Sequence, residues 1–162
     1  MALTVVIVAF AAMEVVSYAS HRWLMHGPGM AWHRSHHQPP AGQFEKNDLY
    51  PICFSTLGVA AFAAAALSER LEVFRWIGLG MTLYGVSYLF VHEIVIHRRL
   101  PLTLPARGYV RWLRDSHRIH HLFGGEPYGM LVPLIPRSLR ERADGSARAA
   151  LDRSTRTTRI RL

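Results

Sequence analysis

Cysteine is nearly absent: Cys53 is the only one in 162 residues. This excludes an internal disulfide framework and any Cys-based zinc or iron–sulfur site. Charge is missing from Leu49 to Leu67 and from Trp76 to Val91, and Leu3 to Ala19 carries only Glu14. With 50% hydrophobic residues overall, a disordered tail protein is excluded as well. No Gly-rich nucleotide-binding motif and no haem or flavin signature occurs, which leaves no sign of a bound organic redox cofactor of those kinds. Basic residues are scarce in the first part of the chain. Residues 1–97 hold five Lys+Arg against six Asp+Glu, whereas 98–162 hold 14 Arg against five acids. The net charge of +8 therefore lies behind His97, a break that a nucleic-acid groove does not require, and no nucleic-acid partner is expected.

The uncharged stretches have membrane length. A bilayer core of ~30 Å takes about 20 apolar residues as helix. The first two stretches are near that length, and the third reaches it if the helix continues through His92–His97. The run Gly58–Leu67 has no polar face, unlike a helix of a soluble bundle. Met1–Thr4 has no Lys or Arg, so the first stretch reads as a span rather than a cleaved signal peptide. Arg22 is the first basic residue and follows that span, which puts Arg22 and the Arg-rich C-terminus on the cytoplasmic side. Gly27-Pro28-Gly29 and Pro101 are stop signals just behind the first and third spans. The expected fold is all-α: an integral membrane bundle of three to four membrane helices with a histidine cap at the cytoplasmic face. Residues 1–136 form the membrane-embedded domain, and 137–162 form an Arg-rich, mobile cytoplasmic tail.

All ten histidines fall into four clusters. His21 and His26 form H-x4-H; His33, His36 and His37 form H-x2-H-H. His92 and His97 repeat the pair, and His117, His120 and His121 repeat the triplet. Six residues separate pair from triplet the first time and 19 the second. Both pairs close spans at the same membrane face, so all ten imidazoles can meet in one layer there. Neutral imidazole binds first-row metals well. In H-x2-H-H, positions i, i+3 and i+4 share a helix face. In H-x4-H, i and i+5 lie about 140° apart on an α-helix. Either the helix unwinds near His26 and His97, or the two members of each pair serve different metals. Ten ligands are too many for one ion, so two metals are expected.

His92-Glu93-Ile94-Val95-Ile96-His97 puts its second histidine one residue too late for the zinc-protease motif H-E-x-x-H. The Glu-x-x-His of soluble di-iron bundles is missing too. An all-nitrogen set in a membrane bundle points to non-haem di-iron oxygen chemistry. A metal transporter would spread histidines along its spans rather than gather them at one face. Glu14, Asp48, Glu93 and Asp115 are candidate acceptors for imidazole N–H groups. The alternative is that Asp48 and Asp115 cap helices or pair with Arg. Glu14, inside the first span, is expected to face the bundle interior. Trp23, Trp32, Tyr50 and Trp112 are read as membrane-interface anchors.

Several stretches carry a resemblance: Met25-His26-Gly27, Trp32-His33-Arg34-Ser35-His36-His37, Phe44-Glu45-Lys46-Asn47-Asp48-Leu49-Tyr50, and Gly108-Tyr109 leading into His117-Arg118-Ile119-His120-His121. Over residues 10–125 the chain resembles the membrane di-iron fatty-acid hydroxylase and sterol desaturase superfamily, and within it the bacterial β-carotene 3-hydroxylases. That resemblance implies two non-haem Fe ions, O2 as co-substrate and hydroxylation of the β-ionone ring at C3, taking β-carotene to β-cryptoxanthin and zeaxanthin. The alternative is another lipid hydroxylase, ketolase or desaturase with the same metals. It also implies a carotenoid drawn from the membrane lipid, a ferredoxin/ferredoxin reductase-type electron donor, and residence in the bacterial cytoplasmic (inner) membrane. One segment departs from the pattern: Gly124-Gly125-Glu126-Pro127-Tyr128-Gly129-Met130 stands where many relatives have a Ser-Phe-Gly-Phe type of segment.

Overall fold

The computed structural model describes residues 1–38, 42, 44–102, 104–105 and 107–147, and among these every regular element is helical. Helix α1 (Ala2–Ala19) runs on into a π-helical segment, Ser20–Met25. The short helix α2 (Met30–His33) passes into a 3-10 turn, Arg34–His37. Glu45 and Asp48 form a reciprocal capping box ahead of α3 (Leu49–Leu67). Helix α4 (Val73–Tyr88) continues as a second π-helical segment, Leu89–Ile96. Helix α5 (Gly108–Phe123) ends at Gly124, whose φ of +66° supplies the left-handed stop.

Three of these helical stretches are long and apolar enough to cross a membrane: Ala2–Met25, Lys46–Leu67 and Glu69–Ile96. The third reaches that length because the helix does continue past Val91, in π form. Leu3, Ile7, Val15, Val59 and Leu67 are exposed on this bundle, as lipid-facing residues should be. Helix α4 packs against both α1 and α3. Two of its glycines permit the approach. A Cβ on Gly80 would collide with Ala9 and the Val6 carbonyl of α1, and one on Gly78 would press on the Phe62 ring of α3. Small residues let membrane helices pack closely where burial of oil against oil gives no drive.

The end of the bundle is closed by α5, which is amphipathic. Leu113, Ser116, His117, Ile119 and His120 are buried, while Arg111 and Arg118 are exposed. No fourth span occurs among the described residues. The chain after Gly124 is non-helical up to residue 136. Residues 137–147, the described part of the expected tail, form a helix, and its Arg142 guanidinium lies 4.6 Å over the Phe123 ring. The rest of that tail, 148–162, lies outside the described residues.

Candidate metal centre

The two π-helical segments resolve the H-x4-H difficulty. His26 N donates to His21 O at 3.1 Å, and His97 N donates to His92 O at 2.9 Å. These are i→i+5 bonds, so residue i+5 sits back above residue i. The helix therefore unwinds locally near His26 and His97, the first of the two expected outcomes, and keeps the members of each pair together. It widens by one residue per turn, and both members of each pair face the same point.

Two groups of four imidazoles result, each with its ligand nitrogens within 4.8 Å of one another: His21, His26, His33 and His120, then His36, His92, His97 and His117. His37 joins the edge of the first, with Nε2 3.1 Å from His33 Nε2. His121 joins the edge of the second, 3.2 Å from His36 Nε2. Their rings stack on each other at 4.4 Å between the groups. Each triplet is thus divided. Its first and last members stay with the pair of their own half, and its middle member, His36 or His120, crosses to the other group.

Outward-facing Nδ1 atoms fix the ring tautomers. His33 Nδ1 donates to Asn47 Oδ1 at 2.8 Å and His21 Nδ1 to the Tyr128 carbonyl at 3.0 Å. His120 Nδ1 donates to the Gly125 carbonyl at 2.6 Å and His92 Nδ1 to Glu93 Oε1 at 2.6 Å. With Nδ1 protonated, Nε2 carries only a lone pair. Yet His21 Nε2 and His33 Nε2 stand 3.2 Å apart, and neither can donate to the other. Facing lone pairs are stabilised by a cation between them, so the donor set fits a bound metal ion.

Burial favours the neutral form of the histidines outside the spans. Among groups outside the spans, it lowers His26, His33 and His37 to about 4, His97 and His121 to about 3 and His120 to about 2, with neighbouring imidazoles adding to the effect. His36 and His117 are lowered too, for the same reason. Neutral imidazole is the ligating form.

The four candidate carboxylates have different fates. Glu93 meets an imidazole, as above. Asp48 does not: it caps Glu45 N at 2.8 Å and accepts from Arg99 at 3.0 and 3.1 Å, which is the alternative role. Asp115 is exposed on α5 and touches no histidine among the described residues, because the imidazoles of α5 occupy its opposite face. Glu14 also bonds no histidine. It accepts from Tyr84 OH at 2.7 Å and from the backbone N–H groups of Met130, Leu131 and Val132 at 2.9–3.1 Å. It thereby satisfies non-helical backbone beside a membrane-length helix, where water is scarce. Of the expected anchors, Trp23 and Trp32 are exposed, but Tyr50 is buried and its OH donates to the Gly29 carbonyl.

Sequence reasoning missed Asn47, Glu45 and Arg99. Arg99 joins Glu93 at 2.7 Å, Asp48 at 3.0 Å and Glu45 at 3.4 Å, and Glu45 Oε2 lies 3.6 Å from His36 Nδ1. Burial raises the Glu45 carboxyl against the pull of Arg99. The signal was present in Phe44–Tyr50, where Glu45, Asn47 and Asp48 lie within four residues and spacing alone does not rank them. The Gly125 and Tyr128 contacts use backbone oxygens, so the departure in that segment leaves the imidazole acceptors in place.

Two groups of four histidines able to hold a metal ion, at one end of three membrane-length helices, define a membrane protein with a candidate histidine metal centre. The chain belongs to the fatty acid hydroxylase family, whose model matches residues 6–139. It is 39% identical over 157 residues to a beta-carotene hydroxylase of Pantoea ananas, covering 91% of this chain and 89% of that protein. It is 41% identical to one from Paracoccus sp. (strain PC1), covering 76% of each chain. A chloroplastic beta-carotene 3-hydroxylase 1 of Arabidopsis thaliana is 33% identical over 82% of this chain and 44% of its own length. No solved structure matches the chain.

Proposed function

We propose that this protein is an O2-dependent, non-haem di-iron monooxygenase that hydroxylates the β-ionone ring of carotenoids at C3, taking β-carotene to β-cryptoxanthin and zeaxanthin. The observation that carries this reading is an apolar cavity that ends one aromatic ring short of the histidine centre. A cavity of about 300 Å³ lies among α1, α3 and α4, lined by residues such as Met13, Phe54, Gly58, Gly85 and Tyr88. The Tyr88 ring also stacks on His92, with centroids 4.9 Å apart and planes inclined by 22°. A lipid entering between the helices therefore arrives against Tyr88, whose ring backs a histidine of the second group. The names of the relatives supply the substrate class.

Each histidine group would hold one iron ion. When bound, the pair supplies the O2 activation and C–H oxidation that no side chain of this protein provides. The protein's own part is to fix the imidazoles in place, hold the ring end of the substrate near the centre and keep water out with apolar walls. Electrons come from an external ferredoxin-type donor. Exposed Arg107, Arg111 and Arg118 at the histidine end give an acidic donor a surface, and the positive-inside rule puts that end in the cytoplasm of a bacterial inner membrane. Salt should then slow donor turnover.

The test is expression in a host that accumulates β-carotene, with products separated by chromatography. Hydroxylated carotenoid is expected. Unchanged β-carotene with the protein present in the membrane overturns the reading, and a ring ketone in place of the alcohol reassigns it as a ketolase.

A further inference from the structure

We infer that the two histidine groups are unequal metal sites: the His36, His92, His97, His117 group takes its ion first and holds it more tightly than the His21, His26, His33, His120 group. This rests on the reading that both groups hold iron. The difference lies in what stands behind the imidazoles. In the second group His92 donates to a carboxylate, Glu93, at 2.6 Å. Glu45 Oε2 stands 3.6 Å behind His36 Nδ1, buried and without a hydrogen-bond partner of its own. Arg99 ties Glu93, Asp48 and Glu45 together. Three carboxylates meet one guanidinium there, leaving an excess of negative charge beside the second group.

Behind the first group every acceptor is neutral. His33 bonds the Asn47 amide oxygen, His21 the Tyr128 carbonyl and His120 the Gly125 carbonyl. The nearby carboxylate, Glu126, bonds Arg22, Tyr18 and the Tyr128 N–H instead. No carboxylate bonds a histidine of this group among the described residues.

A charged acceptor on Nδ1–H makes the opposite nitrogen a stronger donor, and loss of such partners commonly costs 10–100-fold in metal affinity. The excess charge also attracts a divalent ion directly, through surroundings that screen it poorly. Both effects favour the second group. Glu93 is its positioning residue, and Arg99 holds Glu93 in line.

The test uses the full chain, purified metal-free in detergent and titrated without oxygen with 57Fe(II), followed by Mössbauer spectroscopy. One quadrupole doublet should fill with the first equivalent and a second doublet with the next, the two affinities differing by about tenfold or more. Glu93→Gln keeps the shape and an acceptor oxygen but removes the charge. It should weaken the tight equivalent alone by about 10–100-fold, so that both doublets fill together, and Glu93→Asp should restore the order. Asn47→Ala should weaken only the loose equivalent. His26→Ala should keep the tight ion, and His97→Ala should lose it. Two equivalents of equal affinity in the unaltered chain, or equal weakening of both by Glu93→Gln, overturns the inference while leaving the iron reading intact. No iron bound by the unaltered chain overturns both.

Discussion

The two histidine groups match in ligand type and differ in what supports them. Each takes both members of an H-x4-H pair from a π-helical segment, and each borrows the middle histidine of the other half's triplet. The first is then backed by an amide and two backbone carbonyls, the second by carboxylates clustered on Arg99. The cavity favours one side as well, because Tyr88 joins it to His92. A near-symmetric histidine set therefore has two unlike sides, one next to the apolar cavity through Tyr88 and the other lying against the Gly124–Met130 loop.

The crossed histidines are the place to break the comparison. His36→Ala should empty the second group although His36 lies in the first triplet, and His120→Ala should empty the first. Each should cost about one iron per chain by metal analysis and reduce product formation by at least about 100-fold, the upper end of what loss of a partner behind a ligand costs, because here the ligand itself is lost. Retention of two ions in either variant would remove that residue from the ligand set.

A smaller effect is expected from the cavity. Gly85 faces open space: a Cβ added there would meet no heavy atom within 4 Å outside its own helix. Gly85→Leu should fill part of the cavity and lower turnover of a carotenoid by roughly tenfold, the cost of misplacing a substrate slightly. Iron content and both Mössbauer signals should stay unchanged. Full turnover would separate the cavity from the substrate path.

The smallest effect concerns protons. Folded imidazoles are held neutral while the unfolded chain takes up protons once the pH falls below 6.5. A lowered folded pKa of a base thus makes stability fall with falling pH. The melting temperature of the metal-free protein in detergent should drop from about pH 6.5 downward. The contribution of His26, His33 and His37 to that drop should level off near 4, and that of His97 and His121 near 3. A flat profile over this range would show that these rings are already solvated.

Much of the fold was legible because its causes are local. Long uncharged runs become membrane helices whatever their neighbours do, and all ten histidines could be assigned to one end from span parity alone. The site was less legible where it depends on distant contacts. Glu93 lies next to His92 in sequence, and its role as an imidazole acceptor follows from that adjacency. Asn47 and Glu45 act on His33 and His36 across a loop, and the choice among neighbouring polar residues there depends on which side chain turns toward the histidines. Glu14 bonds Tyr84 and the backbone of residues 130–132, partners remote in sequence that no local pattern names.

The sequence by itself determined the residue type at the candidate site and the end of the bundle at which the histidines gather, since these follow from composition and run length. Only the tertiary structure decided how the ten rings divide. An α-helix would have turned His21 from His26 and His92 from His97, and the π-helical turns that reunite them are seen only in the backbone hydrogen bonds. The exchange of His36 and His120 likewise follows from the packing of α5 across the ends of the spans, because only that packing brings residues more than 80 positions apart within reach of one ion.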